Sequence, residues 1–188
     1  MIKLEQTKSN LIWLDLEMTG LEIETCHIIE IAVIITNSDL NILTESPSIE
    51  IYQDDAILKT MNSWCIKTHS KSGLIERVKE SKVSVSEAES FIIDFIKPYV
   101  KKGQSPLCGN SVWQDRKFLT KYMPTLEDYF HYRLFDVSSF KIAASFWRPE
   151  LLQQFNKQSA HLALDDIKES INEMKFYQAH LLNLHVSD

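Results

Sequence analysis

From Leu11 to Met18 the chain alternates between two sets of residues. Ile12, Leu14, Leu16 and Met18 form one, and Leu11, Trp13, Asp15 and Glu17 the other. A period of two predicts a β-strand whose alternate side chains share a face. Ile28–Thr36 predicts a second strand, strand-sized and apolar from Ile28 to Ile35 except for Glu30. Leu40–Tyr52 reads as a third, with Asn37-Ser38-Asp39 as the hairpin turn. Short helices are expected across residues 56–80. Ser86-x-x-Glu89 has the form of a capping box opening a helix with Ala88, Phe91, Ile92, Phe95, Ile96 and Tyr99 on its apolar side. Pro106-Leu107-Cys108-Gly109 then predicts a short buried strand. It feeds a helix capped by Asn110 or Ser111, with Phe118, Leu119 and Tyr122 apolar before Pro124. A strand near 133–136, a helix from Ser138 to Trp147 and a loop over 148–160 come next. Leu164, Ile167, Ile171, Met174, Tyr177 and Leu181 recur at helical spacing in a long last helix. Three meandering strands followed by strands alternating with helices predict an α/β mixed sheet flanked by helices.

The acidic residues fall at informative places on these elements. Asp15 and Glu17, two apart on a strand, project from one face. Two such carboxylates repel each other, and burial drives one toward neutrality unless a cation lies between them. Hard divalent cations such as Mg²⁺ or Mn²⁺ take oxygen ligands of this kind. Asp115 sits in the first turns of its helix, where an acid also complements the helix dipole. The doublet Asp165-Asp166 opens the last helix, and the pattern leaves open which of the two faces inward. His161, in the segment feeding that helix, has the chemistry of a general base if a carboxylate-bound metal lies nearby.

Together these stretches, Trp13 to Leu21, Gly109 to Leu119 and His161 to Ile167, resemble the three motifs of the DEDDh 3′–5′ exonucleases, and among them the oligoribonucleases. Met61-Asn62-Ser63-Trp64, Thr68 to Leu74, Tyr132 to Ser138 and Leu164 to Ser170 extend the likeness over about residues 9–180. The resemblance implies a ribonuclease H-like fold: an antiparallel three-strand meander followed by parallel strands. It implies two divalent cations, Mg²⁺ or Mn²⁺, held by Asp15, Glu17, Asp115 and Asp166, with His161 as the base. His161-x₄-Asp166 settles the doublet in favour of Asp166. The substrate implied is short single-stranded RNA, cut from its 3′ end to nucleoside 5′-monophosphates. Leu21 would wedge between two bases and Trp64 would pack on a base or ribose. Ser111, Ser138 and Arg133 would hold the 5′ phosphate. Tyr132 and Arg133 would reach the site of the partner subunit in a homodimer. By residue type alone, Leu21 and Trp64 read as core packing and Arg133 as a structural ion-pair residue. Leu162 departs from the family, which usually carries a basic residue there.

Composition narrows the substrate. The chain has 188 residues, 44% of them hydrophobic and 24% charged, as expected for one domain with a sizeable core. Its net charge of −6 and the absence of any basic block longer than Lys101-Lys102 weigh against a protein gripping long nucleic acid. That balance favours a short oligonucleotide over a tRNA-end trimmer or a DNA proofreading subunit. A non-catalytic nucleotide-binding module would be expected to lack a ligand or the base, and all five residues are present. No apolar run reaches the ~20 residues of a membrane helix. Met1-Ile2-Lys3-Leu4-Glu5 has no apolar signal core. Cys26, Cys65 and Cys108, odd in number and widely spaced, suggest a reducing cytoplasm.

Overall fold

The computed structural model describes residues 10–155 and 162–182. Strand β1 (Leu11–Met18) lies inside a mixed sheet. On one side it pairs antiparallel with β2 (Ile28–Thr36), and β2 pairs antiparallel with β3 (Ile42–Glu45) and β4 (Ile49–Glu50). On the other side β1 runs parallel to β5 (Leu107–Gly109), which runs parallel to β6 (Leu134–Asp136). The spatial order β3-β2-β1-β5-β6, with β4 also on β2, is the meander-then-parallel arrangement expected.

The helices are α1 (Asp55–Leu58), α2 (Ser63–Lys71), α3 (Leu74–Glu80), α4 (Val85–Ile96), α5 (Trp113–Tyr122), α6 (Pro124–Glu127), α7 (Val137–Trp147) and α8 (Ala163–His180). The alternation within β1 divides the core between the two faces of the sheet. Ile12, Leu14 and Leu16 join Ile92 and Ile96 of α4 and Phe118 and Leu119 of α5. Trp13, on the opposite face, joins Val137 and Ala144 of α7 and Ile167, Ile171, Met174 and Tyr177 of α8. Asp15 and Glu17 continue the Trp13 face, so the strand that packs on α8 carries its acids beneath that helix's start.

Several local expectations are corrected. The predicted third strand, Leu40–Tyr52, is split at Ser46-Pro47. The Ser46 hydroxyl accepts the Val33 N–H at 2.9 Å, while proline has no N–H to give a ladder. The capping box lies two residues earlier than Ser86/Glu89. The Ser84 Oγ accepts the Glu87 N–H and the Glu87 carboxylate accepts the Ser84 N–H. This phase sets Val83 and Ala88 together in the core, the hydrophobic staple that accompanies such a box. Glu89 instead caps α6, accepting the N–H groups of Thr125 at 2.7 Å and Leu126 at 2.9 Å. Phe91 is exposed, whereas Ala88, Ile92 and Ile96 are buried. Neither Asn110 nor Ser111 caps α5. Ser111 has φ +52°, and Val112 precedes the helix without a side-chain cap. Within 148–160, Pro149–Gln153 is a 3₁₀ turn. No helix among the described residues is long and apolar enough to cross a membrane.

Candidate active site

Asp15 and Glu17 leave β1 on one face, and the first turn of α8 brings Asp166 down onto them. Ligand oxygens of these three carboxylates lie within 4.8 Å of one another. Asp165 is exposed, so the helix phase selects Asp166 from the doublet. Asp115 reaches the same end of β1 from α5 and lies outside that trio. It is buried, and its Oδ1 accepts the Leu16 N–H at 3.1 Å, between Asp15 and Glu17. Gly109 permits this approach of β5 and its loop, since a Cβ there would stand 3.0 Å from the Leu14 carbonyl oxygen. His161 lies outside the described residues.

The electrostatics follow from this crowding. Burial pushes the Glu17 carboxyl up to about 8, and the charges of Asp166, Glu30 and Asp115 push it further in that direction. Burial also raises Asp115 to about 7, against the opposing hydrogen bond from Leu16. Acids clustered this closely are relieved either by protons or by cations. All-oxygen, anionic donors suit hard divalent ions, so the residues present fit the metals that the sequence implies.

Leu21 and Trp64 are 70% and 60% exposed, which excludes the core-packing reading of both. They line one pocket of about 430 Å³ that reaches Glu17, shared with Leu16, Asn62 and His69. The Leu21 loop is tied to α5, whose Gln114 Nε2 donates to the Leu21 carbonyl oxygen at 2.7 Å. The Ser111 and Ser138 hydroxyls meet at 3.0 Å. Tyr132 and Arg133 are exposed on the segment before β6, with the guanidinium 5.3 Å from the Tyr132 ring centre. Of the aromatics near there, Phe130 is buried in the core and Phe135 packs edge-on against Trp13, whereas Tyr132, Phe146 and Trp147 are 72–75% exposed.

The sequence reading missed the residues that hold this frame. Asp136 Oδ1 accepts the N–H groups of both Ser111 and Ser138, each at 2.9 Å. Ser138 Oγ donates to Asn110 Oδ1 at 3.1 Å, and Asn110 Nδ2 donates to Ser170 Oγ and to Glu173 Oε2 in α8, both at 2.9 Å. Buried His69 lies with Nε2 3.1 Å from the Met18 carbonyl oxygen and Nδ1 3.9 Å from Glu17 Oε2. Glu30 is fully buried beside the site. Its one sequence signal was a charge inside an otherwise apolar strand.

This fold and acidic cluster belong to an exonuclease domain, as its family and relatives show. The exonuclease family model of the RNase T type matches residues 12–174. The oligoribonuclease of Actinobacillus pleuropneumoniae serotype 5b (strain L20) is 58% identical over 175 residues, covering 93% of this chain and 95% of its own. That of Francisella tularensis subsp. holarctica (strain OSU18) is 54% identical over 179 residues, covering 95% and 99%. Among solved structures, E. coli exonuclease I in complex with a dA16 oligonucleotide matches with a TM-score of 0.72 at 15% identity, over 94% of this chain. The chain spans 42% of the length of that enzyme, and the likeness is one of fold. The chain belongs to the oligoribonuclease family.

Proposed function

We propose that the protein is a metal-dependent 3′–5′ exoribonuclease that degrades very short RNA, dinucleotides above all, to nucleoside 5′-monophosphates. The observation that carries this reading is the trio Asp15, Glu17 and Asp166, of which Glu17 also lines the pocket that holds exposed Leu21 and Trp64. The trio and Asp115 would hold two divalent cations, Mg²⁺ or Mn²⁺. When bound, such cations lower the pKa of a water and neutralise charge on the scissile phosphate. His161 would take the proton of the attacking water on an imidazole nitrogen. The water oxygen bonds to phosphorus, and the bond from phosphorus to the departing 3′ oxygen breaks. That oxygen takes a proton from solvent water and leaves as the 3′-hydroxyl of the shortened RNA.

Leu21 would separate the two bases and Trp64 would stack on one, a contact tolerant of any base. Ser111, Ser138 and Arg133 would take the 5′ phosphate, with Arg133 suited to a forked grip on its oxygens. Tyr132 and Arg133 would complete the site of a second copy, in a homodimer built on the exposed Phe146 and Trp147. A single domain over residues 1–188, with its core at about 9–180, would act in the cytoplasm, consistent with three free cysteines.

The test is hydrolysis of a 5′-labelled diribonucleotide with Mn²⁺, with chelator, and with Mn²⁺ restored. Metal-dependent release of 5′-monophosphate supports the reading, and turnover that persists in excess chelator defeats it.

A further inference from the structure

Glu30 is the one charged residue of β2 and is fully buried. In the antiparallel register it lies directly across from Glu17. A carboxylate in that place invites the role of a further metal ligand, but both of its oxygens are in use. Oε2 accepts the N–H of Ala163, the first residue of α8, at 2.9 Å. Oε1 lies 3.5 Å from Nη2 of Arg77. Arg77 is itself fixed from two sides: its Nε donates to Glu50 Oε1 at 2.7 Å and its Nη1 to the Ser72 carbonyl oxygen at 2.9 Å.

The start of α8 needs this contact. A helix leaves its first N–H groups without intrahelical acceptors, and an anion there is favoured by the helix dipole. Leu162, at the N-cap position, supplies no side-chain acceptor. The cap comes instead from another element, 133 residues away in sequence. Asp166 belongs to the turn so anchored, its N–H donating to the Leu162 carbonyl oxygen at 3.0 Å.

We propose that Glu30 is a positioning residue: braced by Arg77, it holds the first turn of α8 against β2, so that Asp166 is delivered to Asp15 and Glu17. The proposal rests on the reading of Asp166 as a metal ligand. Glu30 acts through a hydrogen bond to the backbone, not through contact with substrate or cation. An amide oxygen in its place can accept the same N–H, whereas a methyl group cannot.

The experiment compares Glu30→Gln with Glu30→Ala, and with Glu30→Met should the alanine variant not fold. It measures kcat and KM for a 5′-phosphorylated diribonucleotide in saturating Mn²⁺, Mn²⁺ binding by calorimetry, and hydrogen exchange at the Ala163 amide. Loss of the acceptor is expected to lower kcat about 10- to 100-fold, the usual cost of removing an outer-shell support of a metal site. KM should stay close to that of the unmodified protein, Mn²⁺ should bind more weakly, and the Ala163 amide should exchange faster. Glu30→Gln should preserve the slow exchange and most of kcat. Unchanged kcat and exchange in Glu30→Ala would overturn the proposal. Equal loss of Mn²⁺ binding in both variants, with the Ala163 amide still slow in Glu30→Gln, would overturn it in favour of direct ligation. Asp166→Asn is the separate control: full metal-dependent turnover there would remove the ligand reading itself.

Discussion

The Asp115 carboxylate accepts the backbone N–H of Leu16, the residue between Asp15 and Glu17. Helix α5 is thereby fastened to β1 at the point where the strand turns its acids outward. Asparagine at 115 keeps an acceptor for that N–H and removes a buried charge. Asp115→Asn should therefore leave the thermal stability of metal-free protein at pH 8 unchanged or higher. Turnover should fall beyond the roughly 10- to 100-fold of outer-shell losses. Calorimetry beside single-turnover hydrolysis separates the two effects. Near-normal hydrolysis would remove Asp115 from the site.

Glu17 and Asp115 also set a pH dependence. Burial raises their folded pKa values to about 8 and about 7, from the ordinary 4.5 and 3.8. Between the ordinary and the raised values the native state holds protons that the unfolded chain has released. Unfolding free energy therefore falls as pH rises across that window. Metal-free protein should lose thermal stability from about pH 5 to pH 8, with Mn²⁺ restoring more of it at the alkaline end. Melting temperatures in chelator and in Mn²⁺ across that range test this. A flat difference between the two would show that the acids do not share a cation.

Leu21 and Trp64 stand in solvent, so truncating them removes little from the fold. Trp64→Ala should raise KM for a diribonucleotide about 5- to 150-fold, as base–aromatic stacking is worth about 1–3 kcal/mol. The melting temperature should hardly move. Leu21→Ala should act in the same direction. A large fall in melting temperature without a KM effect would return these side chains to a structural role.

Phe146 and Trp147 close α7 with three-quarters of their surface exposed. If they meet a second copy, Phe146→Glu with Trp147→Glu should yield monomers in sedimentation and cost most dinucleotide activity, because Tyr132 and Arg133 would no longer reach a partner. Fully active monomers would contradict the shared site.

What the sequence disclosed follows the range of the interactions involved. β1 was legible because alternation is a property of neighbours, and with it came the shared face of Asp15 and Glu17. The doublet alone left Asp165 and Asp166 open; the family spacing from His161 chose Asp166, and the phase of α8 against the sheet agrees. The third strand was drawn too long because its β-type pattern hid the break at Pro47. Ser84-x-x-Glu87 and Ser86-x-x-Glu89 are both capping boxes by pattern, and packing of Val83 chose the first. Ser111 failed as a cap because its hydroxyl is engaged with that of Ser138 and its backbone turns left-handed. Apolar type suggested core for Leu21 and Trp64, the family resemblance pointed to substrate contact instead, and the tertiary structure shows both facing out. Glu30 was visible as a charge in the wrong place, but its partners Ala163 and Arg77 are distant in sequence.

The proposed two-metal exoribonuclease with a length-measuring pocket can be challenged with 5′-labelled RNAs of two and of seven nucleotides, in Mn²⁺ and in chelator, beside Asp115→Ala. Metal-dependent cleavage should be much faster on the dinucleotide, with none above background in the variant. Equal or faster cleavage of the heptanucleotide would contradict the length-selecting pocket, and binding of both RNAs without cleavage would contradict the enzyme.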